Sequence, residues 1–234
     1  MRFPALIALL LALQAAESPS EPAARTREYP WMSVAAWKQR HENFLKRAKE
    51  GKVDLLFLGD SITEGWGNND VWQKHYAPLN AANFGIGGDT TQNVLWRILN
   101  GEIEGLSPKA VVLMIGTNNF GLHGDQPDAV ARGILTLVQT LRKKLPKTKV
   151  LLLGIFPRDE KPNTDFRKRI KKVNDQIAAL DDRKNVRYLD LTPKFLAPDG
   201  TLPKDLAPDF LHLSPKGYEI WAESMDPLLK ELMK

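Results

Sequence analysis

The sequence predicts an α/β fold in three layers, with a five-stranded parallel sheet held between helices. Two observations carry this. Strand-like and helix-like patterns alternate from about residue 33 to the C-terminus, which is the order left by successive βα units. Three of the five strand candidates are continuous aliphatic runs instead of alternating ones, as expected of strands covered on both faces.

The first element is a helix over residues 33–50, with Ser33 able to cap its start, Gly51 placed to end it, and Trp37 and Phe44 on its inner face. Strands are expected at 53–58, 81–84, 110–115, 150–156 and 186–190. Helical patterns fill the gaps at 91–100, 126–145 and 165–180, the last with the stripe Phe166, Ile170, Val173, Ile177 and Leu180. The final helix begins at Ser214, has Pro215 in its first turn, and carries Tyr218, Trp221, Met225, Leu229 and Leu232 on one face. The simplest arrangement is the flavodoxin-like strand order. Right-handed crossovers then bring the carboxyl ends of all strands to one edge. Ser61, Gly88 and Asn118 each follow a strand and so gather there.

A chain of 234 residues is long enough for one substantial core, and no repeat or low-complexity stretch divides it, so a single domain is expected over 29–234. Residues 1–16 read as a signal peptide: Arg2, a short apolar stretch, then small residues ending at Ala16. That stretch is too short for a spanning helix, which needs about twenty apolar residues, and no second run is long enough to anchor the chain. Export to a periplasmic or extracellular location is the resulting expectation. Residues 17–28, rich in Pro, Ser, Ala and charge, read as a flexible linker. Cysteine is absent, so the core alone must hold the fold. The formal net charge of +5 does not point to nucleic acid. Its densest basic run, Arg167 to Lys172, flanks the apolar stripe of one amphipathic helix, and no basic block is interleaved with aromatic residues.

The chemistry begins at Gly59-Asp60-Ser61-Ile62-Thr63, where a serine leaves a buried strand at a turn. A serine hydroxyl is a poor nucleophile until an imidazole takes its proton. Of the histidines at 41, 75, 123 and 212, only His212 has a carboxylate three residues ahead, Asp209, which can orient one ring nitrogen and leave the other free as base. Attack on an ester carbonyl creates an oxyanion. Candidate donors for it are the Ser61 N–H, the Gly88 N–H and the Asn118 side-chain amide. Read singly, each motif is equally at home as a cap or a turn. Trp66, Tyr76 and the loop 156–164 are candidate pocket walls, with packing the competing reading.

Taken together, the block Gly59–Ile62, the glycine block ending at Gly88, the block Gly116–Asn118 and the Asp209-x-x-His212 block resemble those of the SGNH (GDSL) hydrolases, in the same order along the chain. Within that family the sequence is similar to the platelet-activating factor acetylhydrolase Ib catalytic subunits at Asn83–Asp89, Leu95–Arg97, Leu211–Ser214 and Trp31–Ser33. The resemblance implies Ser61 as nucleophile, His212 as base and then acid, and Asp209 as its orienting partner. It implies an oxyanion hole of Ser61, Gly88 and Asn118, and neither metal nor cofactor. The expected substrate is a small-molecule ester carrying an acetyl or other short acyl group. Sugar acetates and lysophospholipids remain alternatives, and a homodimer is left open. The signal-like N-terminus departs from the acetylhydrolases it resembles, which are intracellular, so their substrate is not carried over.

Competing readings fit less well. A dinucleotide fingerprint at Gly85-x-Gly87 fails because Thr90 stands where its third small residue belongs and the strand is not the first of the sheet. The Gly-x-Ser-x-Gly elbow of α/β-hydrolases is missing around Ser61, and no His-Glu-x-x-His run exists. A secreted binding module without turnover is disfavoured, since every expected catalytic position holds a competent residue.

Overall fold

A computed structural model describes residues 18–234, so the signal-like segment 1–16 lies outside the described residues. Its centre is a five-stranded parallel sheet in the order β2-β1-β3-β4-β5. The strands are β1 (Leu55–Gly59), β2 (Ala81–Gly85), β3 (Ala110–Met114), β4 (Lys149–Leu153) and β5 (Val186–Leu189). This is the flavodoxin-like order, with the reversal of winding between β1 and β3. In register, Gly59 pairs with Gly85 on one side and Met114 on the other, so the loops after β1, β2 and β3 leave the sheet side by side.

Side chains of a strand alternate between faces, and here both faces are buried. Leu56, Leu58, Val111, Leu113, Val150 and Leu152 pack under helices on one side. Leu55, Phe57, Val112, Met114, Leu151 and Leu153 pack on the other. That two-sided burial is why these strands read as unbroken aliphatic runs.

The long helices are α1 (Val34–Lys49), α6 (Pro127–Lys144), α7 (Asp165–Ile177) and α9 (Pro215–Leu232), and the shorter α4 (Thr91–Arg97) follows the glycine loop. Ser33, Thr164 and Ser214 cap α1, α7 and α9 by accepting main-chain N–H bonds through their hydroxyls. Short helical turns α2 (Ser61–Glu64), α3 (Asp70–His75), α5 (Thr117–Gly121) and α8 (Thr192–Phe195) are too brief for periodicity to reveal. Among the described residues no helix is long and apolar enough to cross a membrane.

Three expectations need correction. The strand expected to reach residue 156 stops at Leu153, because its neighbour β5 ends at Leu189. Beyond it the Asn174 side chain replaces a neighbouring strand, accepting the Ile155 N–H at 2.8 Å and donating to the Ile155 carbonyl at 3.0 Å. Trp66 and Tyr76 are fully buried in the aromatic packing around Phe57, Trp72 and Trp221, so they are core and not pocket wall. Finally, the segment expected as a flexible linker is stitched to the domain where it is described. Thr91 donates to the Pro19 carbonyl, Ala23 N–H to the Gln92 carbonyl and Asn93 to the Ala23 carbonyl, at 2.8, 3.1 and 2.9 Å. Composition misleads there because these bonds use the segment's main chain, which composition does not register.

Candidate active site

Ser61 is the first residue of α2, directly beyond β1. Asp60 caps that turn, its Oδ1 accepting the Ile62 N–H at 3.0 Å, while its Oδ2 is buried with no partner among the described residues. Full burial pushes the Asp60 carboxyl up to about 7, against the hydrogen bond from Ile62. From the opposite side the buried Tyr218 hydroxyl of α9 donates to the Ile62 carbonyl at 2.6 Å. One helix therefore braces the serine turn and begins just after the histidine that serves it.

That histidine sits in the turn before α9. Its Nε2 lies 2.9 Å from Ser61 Oγ and its Nδ1 lies 2.7 Å from Asp209 Oδ2. Asp209 Oδ1 also accepts the main-chain N–H groups of Leu211 and His212, at 3.0 and 2.7 Å, so one carboxylate shapes the turn and aims the ring. Phe210 takes up a left-handed conformation (φ 58°) to close it. Partial burial works against ionisation of Asp209, but the hydrogen bonds from the His212 side chain and main chain outweigh it and hold the carboxyl below its ordinary value. The carboxylate thus stays charged across the neutral range. His41 and His75 also have carboxylate partners, Glu102 and Asp226, but neither pair involves Ser61.

Gly88 and Asn118 line the same cleft as Ser61 and His212. Gly88 has φ +77°, a conformation that favours glycine, and Gly116 before α5 has φ +133° for the same reason. The turn at Gly116 puts two adjacent asparagines to different uses. Asn118 Nδ2 donates to the Asp89 carbonyl at 3.0 Å from the cleft wall. Asn119 is wholly buried and ties α5 to the start of α4, accepting the Thr91 N–H at 3.0 Å and donating to Gln92 at 3.0 Å.

The cleft holds about 400 Å³ and is further lined by Trp31, Met32, Arg40, Glu64, Arg158 and Leu211. Glu64 accepts the Gly87 N–H at 2.7 Å and pairs with Arg40. A cavity of about 350 Å³ between α7 and the loops near Pro157 and Asp190 contains none of these groups. Beneath the glycine loop lies a buried set of charges that the motifs do not announce. Asp89 accepts from Trp37 Nε1, Arg97 Nε and Arg25 Nη2 at 2.7, 2.8 and 2.9 Å, and Arg97 also pairs with Glu102. Burial alone would lower the Arg97 value, but Glu102 and Asp89 outweigh it and raise it above the ordinary one.

The structure thus brings Ser61, Asp209, His212, Gly88 and Asn118 into one site. Sequence reasoning missed Asp60 as more than a cap, and missed Arg25, Arg97 and Tyr218. One signal was available for Arg97, which shares a helix face with Val94 and Ile98 and therefore needed a buried counter-charge.

The Asp60 value of about 7 exceeds its ordinary 3.8, so the folded state holds that proton more tightly than the unfolded chain. Its contribution to stability is therefore greatest at acid pH and declines as pH rises through the window from about 4 to about 7. Asp60→Asn removes this loss. Denaturant unfolding of both proteins across that window should show the variant gaining on the wild type as pH rises, then holding level. A constant difference at all pH values would refute the raised value.

Comparison with known proteins gives the family. The GDSL-like Lipase/Acylhydrolase family matches residues 57–220. The human platelet-activating factor acetylhydrolase IB subunit alpha2 is 38% identical over 199 residues, covering 85% of each chain. A GDSL-like lipase from Bacteroides thetaiotaomicron shares the fold with a TM-score of 0.68 at 20% identity, over 82% of this chain and 97% of that one. An acetylxylan esterase from Geobacillus stearothermophilus does so with a TM-score of 0.60 at 22% identity, over 76% and 93%. The chain belongs to the GDSL-like lipase/acylhydrolase family and is a serine ester hydrolase.

Proposed function

We propose that this hydrolase cleaves acetyl and other short acyl esters through an acyl intermediate on Ser61. His212 takes the Ser61 proton as the oxygen attacks the ester carbonyl, then delivers it to the leaving alcohol. Asp209 holds the ring in place and stabilises the imidazolium. The developing oxyanion meets the N–H groups of Ser61 and Gly88 and the Asn118 amide, each such donor being worth about 3 kcal/mol. Water, activated by the same histidine, then releases the acid. The observation that carries this reading is the unbroken chain from Ser61 Oγ to His212 to Asp209, at 2.9 and 2.7 Å, facing a cleft that Gly88 and Asn118 also line.

The short-acyl preference is supported by the acetylhydrolases the chain resembles and by the character of the cleft. A long acyl chain gains about 0.8 kcal/mol for each CH₂ it buries against an apolar wall. Arg40, Glu64 and Arg158 interrupt any such wall here, which weighs against a lysophospholipase. A sugar acetate is the second reading. It is favoured by Trp31, which stands 58% exposed at the cleft and offers a flat face for a sugar ring.

We also propose that the chain is exported and cut near Ala16. Cleavage there leaves intact the segment from Ser18 onward that the domain uses.

Three measurements test these proposals. Ser61→Ala should lose several powers of ten in kcat for a short ester while unfolding at the wild-type temperature. In the wild type, kcat/KM should fall from acetyl to dodecanoyl esters of one alcohol. Substantial activity in folded Ser61→Ala would end the mechanism, and a steady rise with acyl length would end the short-acyl reading. For export, the N-terminal sequence of protein recovered outside the cytoplasm should begin near residue 17. Recovery of only intact chain from the cytoplasm would refute it.

A further inference from the structure

The segment before the domain carries a buried arginine. Its main chain is fixed on the start of α4 through Pro19 and Ala23, and Arg25 follows, 4% exposed. Arg25 Nη2 donates to the Gly87 carbonyl at 2.7 Å and to Asp89 Oδ1 at 2.9 Å. The Gly87 carbonyl and the Gly88 N–H belong to a single peptide unit. A trans peptide is planar, so its C=O and N–H point in opposite directions. A donor that grips the oxygen from behind therefore aims the N–H away from itself. Among the described residues the Gly88 N–H has no acceptor, and Gly88 lines the cleft beside Ser61.

We propose that Arg25 is a positioning residue for ester hydrolysis: from behind the cleft its guanidinium clamps and polarises the Gly87–Gly88 peptide, fixing the Gly88 N–H on the oxyanion. The inference rests on the reading of Gly88 as an oxyanion donor. Hydrogen bonds from a charged donor are about twice as strong as neutral ones, and a peptide whose oxygen is so engaged becomes a better donor at nitrogen. The hydrogen bonding of Asp89 does not by itself require Arg25, since Arg97 and Trp37 also donate to that carboxylate. What Arg25 adds is the bond to Gly87. Its Nε and Nη1 are buried without acceptors among the described residues, and the guanidinium lies 5.4 and 5.9 Å from the ring centres of Tyr29 and Trp37. Those faces favour a cation without competing for its hydrogen bonds. The remaining side of the loop is held by Glu64 on the Gly87 N–H.

The test uses the full chain with Arg25→Ala and Arg25→Lys, and Ser61→Ala beside them. Steady-state kinetics on an acetyl ester are paired with inhibition by a trifluoromethyl ketone, which adds to the serine and carries the oxyanion. Arg25→Ala should lower kcat about tenfold or more with KM little changed, and should weaken the ketone by the same factor as kcat/KM. Arg25→Lys should recover part of both, and added methylguanidinium should restore kcat in Arg25→Ala. If Arg25→Ala melts below the assay temperature, the same paired comparison on Arg25→Lys decides. Unchanged kcat in folded Arg25→Ala, or a fall in kcat with ketone affinity unchanged, overturns the proposal. Should Ser61→Ala remain active, the site itself has been misassigned, an outcome distinct from a failure confined to Arg25.

Discussion

The guanidinium of Arg97 is the point on which the functional end of the molecule depends. It is completely buried, and from the end of α4 it reaches the Phe84 carbonyl at 3.0 Å, the Gly59 carbonyl at 3.5 Å, Asp89 at 2.8 Å, and Glu102. Two strand ends and the glycine loop are thus tied to one cation. Glu102 extends the tie to His41 of α1, and Asp89 extends it to Trp37 and Arg25. Leaving one partner of such a buried set uncompensated costs about 3–5 kcal/mol, so the arrangement tolerates little displacement. Ser61 lies two residues beyond Gly59, and Gly88 immediately precedes Asp89. Ser61 and Gly88 are therefore held against a common anchor.

Such rigidity is what oxyanion stabilisation requires. Donors already aimed where charge will develop need no reorganisation during the reaction. The histidine side of the site is set differently. His212 and Asp209 are 47% and 56% exposed at the side chain, and their geometry comes from the turn that Asp209 itself caps. The brace from Tyr218 to the Ile62 carbonyl links that side to the serine turn. The two halves of the machinery, one buried and ionic, one exposed and local, meet at Ser61.

How much of this was legible in the sequence follows from the same physics. Strands buried on both faces must be aliphatic throughout, so β1, β3 and β4 stand out, and right-handed crossovers bring their carboxyl ends to one edge. The gathering of Ser61, Gly88 and Asn118 was legible because each follows a strand, and the pairing of Asp209 with His212 because a carboxylate three residues ahead of an imidazole can orient it. The supports were less so. Arg25 lies in a segment whose composition suits a linker, and its role depends on main-chain contacts with Gln92, Asn93 and Gly87 that no pattern encodes. Trp66 and Tyr76 follow the serine closely enough to suggest pocket walls, yet their rings fill the core between β1 and α9. Nearness in sequence to a nucleophile says little about which way a large aromatic residue turns.

The central claim is that Ser61 is the atom-bearing partner of the ester. It is tested most directly by treating the folded protein with a fluorophosphonate and locating the adduct by peptide mass spectrometry. One equivalent should attach to Ser61 as activity disappears, and denatured protein should not react. Stoichiometric inactivation with the label on any other residue, or full activity retained by protein labelled at Ser61, would contradict the account.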